Sequence, residues 1–281
     1  MLDVIIPLKN RPFWDCVQSL LKIPAVTQVL LCDGGSTEAA VFDLLNKVAN
    51  QPQIKVFRYS QASFNKAQLL NQGILQATAP FLLMSDGDIL WSQETVQSLL
   101  AQVNAYPQTL AVVAQVEESE PKAIAPQRPR YNYRLHRNQR EIRLELYPEQ
   151  SLGQERPGCG LVCGDRQSFL QLGGYHECFQ GWGWEDQDLL LRAEIFGYQI
   201  TKVGQVIHQS HPDPGRNQCH RYLSPLVTRD RNIRRCLAAL RAKQFYGDLP
   251  CIKPQPLPTL PLRIQAPPEL WPDHSFAIDQ K

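Results

Sequence analysis

Four short segments of this chain carry side chains whose types and spacing can do chemistry. Asp86-Gly87-Asp88 sets out two carboxylates directly behind the apolar run Phe81-Leu82-Leu83-Met84, with a glycine that gives the backbone room to turn. Hard divalent cations take such oxygens. An ion held there would bridge the two phosphates of a nucleotide diphosphate and offset the charge that grows when it leaves. Gly181-Trp182-Gly183-Trp184-Glu185-Asp186-Gln187-Asp188 interleaves large aromatics with glycines just ahead of an acid cluster at a helix start. Trp182 and Trp184 offer flat apolar faces to sugar rings. Acids in a first helical turn are kept ionised by the helix dipole, which suits a carboxylate that must take a proton from a sugar hydroxyl. Helical spacing puts Glu185 and Asp188 on one face and Asp186 elsewhere, so these acids need not share one role. Val206-Ile207-His208-Gln209-Ser210-His211 places two imidazoles at the end of an apolar strand. Neutral imidazole suits manganese better than magnesium, so a histidine completing a site begun by Asp88 indicates manganese or a tolerant site. In Phe64-Asn65-Lys66-Ala67, Asn65 can cap a helix while Phe64 lies against a base or sugar face and Lys66 meets phosphate.

Each segment also has a plainer reading: an acidic turn, a first-turn acid cluster beside core tryptophans, satisfied histidines, or a capped helix with Phe64 as its hydrophobic staple. The elements around them weigh against it. Up to about Met84, short apolar runs alternate with helical stretches, the pattern of a parallel sheet wound with helices. Strands are expected at residues 3–6, 28–31, 55–57 and 81–84, and helices at 13–21, 39–48 and 66–76. Ligands of such sheets bind beyond the carboxyl ends of the strands, and there lie Lys9-Asn10-Arg11, Asp33-Gly34-Gly35-Ser36 and Asp86-Gly87-Asp88. A helix at 93–104 and a strand near 110–116 complete this half. Residues 117–157, rich in Pro and Arg, read as an insertion or hairpin with one strand at 143–147. The second half, 158–246, carries a helix at 185–196, a strand at 199–203 and a helix at 221–243. A proline-dense tail, 247–281, is either extended against the body or disordered. The Arg-rich stretch 128–143 reads most safely as a solvated arm.

With 281 residues the chain can bury a sizeable core, as one large α/β domain or two fused halves. Its 29 Lys and Arg against 27 Asp and Glu argue against a dedicated nucleic-acid binder. No stretch approaches the roughly 20 apolar residues of a spanning helix, and the opening run lacks the marks of a secretory signal. A cytoplasmic location is therefore expected, with any membrane association peripheral. The eight cysteines are scattered and read as reduced thiols. Cys159 and Cys163 have no second Cys or His pair at finger spacing, so a packed strand-end pair is preferred to zinc.

Taken in order, the segments resemble the GT-A glycosyltransferases, most closely the galactosyltransferase-like branch with β-1,4-galactosyltransferases and bacterial chondroitin-type polymerases. The resemblance spans residues 4 to about 217. It is carried by Pro7-Leu8-Lys9-Asn10-Arg11, Phe64-Asn65-Lys66-Ala67 with Leu70-Asn71, Ser85-Asp86-Gly87-Asp88, Gly160 through Gly174-Tyr175, Trp182-Gly183-Trp184-Glu185-Asp186, and His208. Asp33-Gly34-Gly35-Ser36 looks like the strand-two turn of family 2 enzymes. The resemblance implies a mixed, mainly parallel sheet flanked by helices, and a nucleotide diphosphate sugar donor, usually a uridine one. It further implies a divalent metal on Asp88 and a histidine, manganese in preference to magnesium, and inverting transfer to a hydroxyl acceptor such as a glycan. Asp186 would be the base, beside Glu185. Asp86 would approach the donor ribose or sugar. Pro7, Lys9, Arg11, Asp33, Phe64 and Lys66 would line the nucleotide side, and Trp182, Gly183 and Trp184 the sugar side. His211 is an alternative to His208. The family often reads Trp-Gly-Gly-Glu-Asp. Trp184 replaces its second glycine, and a bulky ring there is expected to narrow the acceptor or donor pocket. A non-catalytic binding protein and, behind it, a glycoside hydrolase using paired carboxylates are the rival readings.

Overall fold

The computed structural model describes residues 1–120, 130–149, 156–210, 225–250 and 254–271. The apolar runs near the start become β1 (Leu2–Leu8), β2 (Val26–Asp33), β3 (Ile54–Arg58) and β4 (Phe81–Met84), separated by α1 (Trp14–Leu21), α2 (Ala39–Val48) and α3 (Lys66–Gln76). β1 pairs in parallel with both β2 and β4, and β2 with β3, giving the local order β3-β2-β1-β4. Such a sheet buries both faces, and the alternation shows it. Val4 and Ile6 join one core cluster with α1 and α2, while Ile5, Leu30 and Cys32 join another with α3.

The sheet continues as β4-β9-β6-β10-β5, where β5 is Ile89–Leu90, β6 Thr109–Glu118, β9 Arg156–Asp165 and β10 Gln199–His208. β9 runs antiparallel to β4 and β6, and β10 runs parallel to β6, so the eight-stranded sheet is mixed, as expected. α4 (Gln93–Ala105), α5 (Arg166–Gln171), α6 (Glu185–Ile195) and α7 (Pro225–Arg241) complete the α-helices among the described residues.

β9 had no counterpart among the expected strands. Pro157 and three glycines give it a weak strand signature, yet contacts require the glycines. A methyl group at Gly158 would sit 2.8 Å from Val113 and one at Gly164 2.5 Å from Leu110.

The insertion is a hairpin, β7 (Arg130–Arg137) with β8 (Ile142–Glu149), and β11 (Leu262–Gln265) adds to β8 in parallel to make a second sheet, β11-β8-β7. The proline-dense segment thus lies extended against the body where it is described. Tyr131 Oη donates to Glu269 at 2.9 Å, and the Arg241 guanidinium stacks 4.0 Å from the Trp271 ring centre. A third core cluster fills the space between the small sheet, α6 and α7. α6 is consequently buried on two sides: Leu189, Leu190 and Ala193 face the large sheet's cluster, and Leu191 and Ile195 face the small sheet's. Its first turn is therefore fixed in position.

Candidate active site

The carboxyl ends of β1, β2, β4, β6 and β10 and the start of the antiparallel β9 lie along one edge of the large sheet, and the chemically able residues collect there. At the β1 exit, Lys9 Nζ donates to the Gln61 carbonyl at 2.5 Å, while Gln61 Oε1 accepts from Asn65 N at 3.1 Å. That ties strand one to the entry of α3. Asn10 takes a left-handed conformation, φ 51°, and its Oδ1 accepts from Thr37 N (2.7 Å) and Glu38 N (3.0 Å). In the sequence Asn10 is one member of a motif; its role as a clasp between the first two strand exits is visible only in three dimensions. Asp33 is buried and closes its own turn, accepting from Ser36 N at 2.9 Å and Ser36 Oγ at 2.6 Å. Pro7 is buried within β1, and Arg11 is partly buried just beyond it.

Beneath the acidic turn, Trp91 Nε1 donates to Ser85 Oγ at 2.9 Å and Cys16 Sγ to the Asp86 carbonyl at 3.4 Å. Gly87 lies close to α1's entry: a methyl group there would sit 3.3 Å from Phe13 Cβ, a tight contact. The two carboxylates then diverge. Asp88 Oδ2 lies 3.3 Å from His208 Nε2, and the other ring nitrogen, Nδ1, lies 2.7 Å from Glu118 Oε2. His208 and Glu118 are register partners across β10 and β6, so strand pairing builds the contact. Glu118 was not singled out in the sequence; its carboxylate orients the imidazole, the outer-shell support that metal-ligating histidines typically have. Among the described residues no three His, Cys, Asp or Glu side chains form a complete cation cage. One carboxylate and one oriented imidazole nevertheless fit a divalent ion that draws its remaining ligands from phosphate or solvent. His211 lies outside the described residues.

Asp86 turns the other way, to Lys66. Asn65 caps α3 by accepting from Gln68 N, and Phe64, partly buried, packs on the second core cluster in the manner of a staple. Lys66 at the first helical position reaches Asp86 Oδ1 and Asp186 Oδ2, each at 3.0 Å, with Glu185 Oε1 at 4.0 Å. Two carboxylates a hundred residues apart in the chain thus meet at one ammonium. Burial, then the Asp186 charge, pushes the Glu185 carboxyl up to about 7, against the pull of Lys66. Asp186 is raised too, by burial, with Lys66 opposing.

The expectation that Glu185 and Asp188 share a face from which Asp186 turns away is corrected. Glu185 and Asp186 both reach Lys66, whereas Asp188 points inward, where Arg192 Nε lies 2.8 Å and His176 Nδ1 3.0 Å from its Oδ2. Burial alone would raise the Asp188 carboxyl, but the Arg192 guanidinium and His176 hold it well below the usual carboxylate range. Arg192, fully buried, also donates to the Leu172 and Gly174 carbonyls at 2.9 and 2.7 Å, so this pair shapes the preceding loop.

Trp184 is corrected as well. Its ring is 3% exposed and sits in the third core cluster with Leu191, Ile233 and Leu237, so it does not narrow the crevice. Its backbone keeps φ 81°, the left-handed conformation a glycine would take freely. Trp182, by contrast, is 44% exposed, an available apolar face. The loop between them is held from α7: Thr228 Oγ1 accepts from Trp182 N at 3.1 Å, and Asn232 Nδ2 donates to the Gly183 carbonyl at 2.8 Å. Gly183, at φ 92°, rests against Arg229. Neither Thr228 nor Asn232 carried a sequence signal beyond membership of a helix.

Cys163 is buried in the first core cluster, while Cys159 Sγ accepts from Gln187 Nε2 at 3.1 Å near the acids, so the two thiols do not form a pair. Cavities of about 480 and 580 Å³ lie away from the carboxylates, one behind the sheet near Asp165 and one beside Leu257. The candidate acids lie instead at the strand ends, where Asp86 is 45% and Asp88 26% exposed.

Among solved structures, GalNAc-T7 with UDP, GalNAc and Mn2+ is 18% identical at TM-score 0.57, covering 75% of this chain and 44% of that one. S. aureus TarS, residues 1–349 in complex with UDP-GlcNAc, is 16% identical at TM-score 0.56, covering 84% and 65%. The mannosyltransferase PcManGT from Pyrobaculum calidifontis, in complex with GDP-Man and Mn2+, is 13% identical at TM-score 0.54, covering 89% and 65%. The chain spans less than two thirds of each of these. At such identities they show the fold, the GT-A type expected. No curated protein matches significantly. The model of the N-terminal domain of galactosyltransferase matches residues 144–212, the stretch that carries Asp186 and His208. The glycosyl transferase family 2 model matches residues 3–160, more than half of the chain, and with the strand-end crevice just described it places the protein in that family.

Proposed function

We propose that the protein is an inverting, divalent-metal-dependent glycosyltransferase that moves a sugar from a nucleoside diphosphate donor, a uridine one by preference, to a hydroxyl of a glycan acceptor. The observation that carries this reading is the meeting of Asp86 and Asp186 at Lys66, with Asp88 and His208 at the same sheet edge. Donor-side and acceptor-side acids then share one crevice. In this reading Asp33, Lys9, Arg11 and Phe64 line the nucleotide, Asp86 approaches the ribose or sugar, and Trp182 stacks on the acceptor.

Asp186 accepts the acceptor proton as the hydroxyl oxygen forms its bond to the anomeric carbon. The bond from that carbon to the diphosphate breaks on the opposite face, which inverts the centre and releases the nucleoside diphosphate. Glu185, with its raised proton affinity, lies beside the base and adds no full competing charge near neutrality. Asp88 and His208 would hold the cation, with His211 an alternative; manganese is preferred because of the imidazole, and magnesium is tolerated. Such an ion supplies charge compensation for the departing diphosphate. No described helix is long and apolar enough to cross a membrane; a cytoplasmic site of action, with at most peripheral membrane contact, belongs to the same proposal.

A panel of nucleoside diphosphate sugars, assayed for manganese-dependent release of nucleoside diphosphate, tests the reading. One donor should respond, and Asp186→Asn should lower its turnover by ~10²–10⁴-fold while nucleotide affinity holds. Nucleotide binding without turnover of any donor across a broad acceptor set would point to a non-catalytic binder. Sugar release from an oligosaccharide alone would point to a hydrolase.

A further inference from the structure

We propose that Lys66 is the positioning residue for proton transfer: its ammonium clamps Asp186 Oδ2, keeps that carboxylate ionised in a buried setting, and leaves Oδ1 as the oxygen that takes the proton. This rests on the reading of Asp186 as the base.

The clamp is geometric first. Lys66 stands at the first position of α3, set by the Asn65 cap, and its side chain is 15% exposed. Its Nζ lies 3.0 Å from Asp186 Oδ2, while the buried Asp186 Oδ1 has no hydrogen-bond partner among the described residues. A buried acceptor atom left open is costly unless something donates to it, and an acceptor hydroxyl would do so. β9 clears the space: a methyl group at Gly160 would come within 2.6 Å of Asp186 Oδ2 and 3.1 Å of Lys66 Nζ.

The groups facing Asp186 make the ammonium decisive. Glu185 comes from its own helix, Asp86 from the turn after β4, Cys159 from β9 and Tyr175 from the loop after α5. Burial pushes the Cys159 thiol up to about 12 and the Tyr175 phenol well above its usual range, so both are uncharged near neutrality. Among the described residues, three carboxylates therefore share one cation. Without it, burial and the Asp86 charge both favour the protonated, useless form of Asp186. Donor-side Asp86 on the same ammonium also fixes where along the crevice the clamp sits.

Lys66→Met and Lys66→Arg test this in two ways. At saturating donor, the acidic limb of kcat/KM for the acceptor should move upward by about one pH unit or more in Lys66→Met, a tenfold change in proton affinity, and return in Lys66→Arg. Infrared difference titration of the Asp186 carboxyl, assigned with Asp186→Asn in protein free of donor and metal, should show the same displacement. Lys66→Gln serves if the methionine variant does not fold. An unmoved carboxyl midpoint in the charge-removed variant, whatever happens to the rate, overturns the proposal and leaves Lys66 a donor or structural contact. Normal turnover by Asp186→Asn would instead remove the base assignment, while the infrared midpoint still reports on the clamp.

Discussion

The two sides of the crevice are built from different bonds. On the side assigned to the donor in the proposed reading, β1 to β4 deliver their polar ends through parallel pairing, and side-chain bonds such as Asp33 with Ser36 or Asn10 with Thr37 and Glu38 are added to that ladder. On the acceptor side, positions are set by buried side chains gripping distant backbone. Asn71 accepts from Tyr175 N at 2.8 Å and donates to its carbonyl at 2.9 Å, Arg192 holds the Leu172 and Gly174 carbonyls, and Asn232 holds Gly183. A side that stands on repeating ladders tolerates the loss of one bond; a side that stands on single side chains should not.

Arg192→Met is the most severe way to probe that contrast. It leaves Asp188 a buried charge with the His176 imidazole beside it but without its guanidinium, at a cost of about 3–5 kcal/mol. The pH response should also change sign. In the native protein the depressed Asp188 carboxyl contributes stability that is full above its unfolded value near 4 and is lost as pH falls. In the variant burial raises that carboxyl, so acidification below neutrality should recover part of the loss. Thermal melts between about pH 7 and pH 4 read both effects; parallel curves for the two proteins would show that the pair does not govern Asp188.

Trp184→Gly separates backbone strain from packing. Removing the buried ring costs ~3–5 kcal/mol, and relief of the left-handed backbone returns ~1–2. Denaturant unfolding should show a net loss of about 1–4 kcal/mol. A more stable variant would mean that the ring contributes little to the third core cluster.

Asn232→Ala should cost about 1–3 kcal/mol, because the Gly183 and Gln180 carbonyls lose a buried donor. Its sharper signature is kinetic: acceptor KM rises while nucleotide affinity, measured by calorimetry, stays put. Equal weakening of both would erase the division between the two sides. The smallest effect is expected from Asn65→Ala on the donor side, ~1 kcal/mol for a lost helix cap, read by thermal melting.

The same contrast explains what could be read in the residues alone. β1 to β4, α3 with its Asn65 cap, and the Asp-Gly-Asp turn were legible because periodicity and local hydrogen bonds are written in neighbouring letters. β9 was not, since its glycines answer to Val113, Asp186 and Leu110 across the fold. Glu118 gains meaning only from the register that seats it beside His208. Asp188 was misjudged because helical spacing cannot tell which face a doubly buried helix turns to a cleft. Trp184 was misjudged because the third core cluster that receives its ring is assembled from β8, α6, α7 and Leu270, none of them adjacent in the chain.

β11 pairs Leu262 with Ile142, so the small sheet joins segments made far apart in time during synthesis. The four donor-side strands can close once Met84 has emerged, whereas the seat of α6 stays incomplete until the chain has passed residue 265. Chain assembly is thereby polarised: a nascent polypeptide can acquire its first four parallel strands early but a firmly seated Glu185–Asp186 turn only late, and long-range pairing of this kind is the slow part of folding.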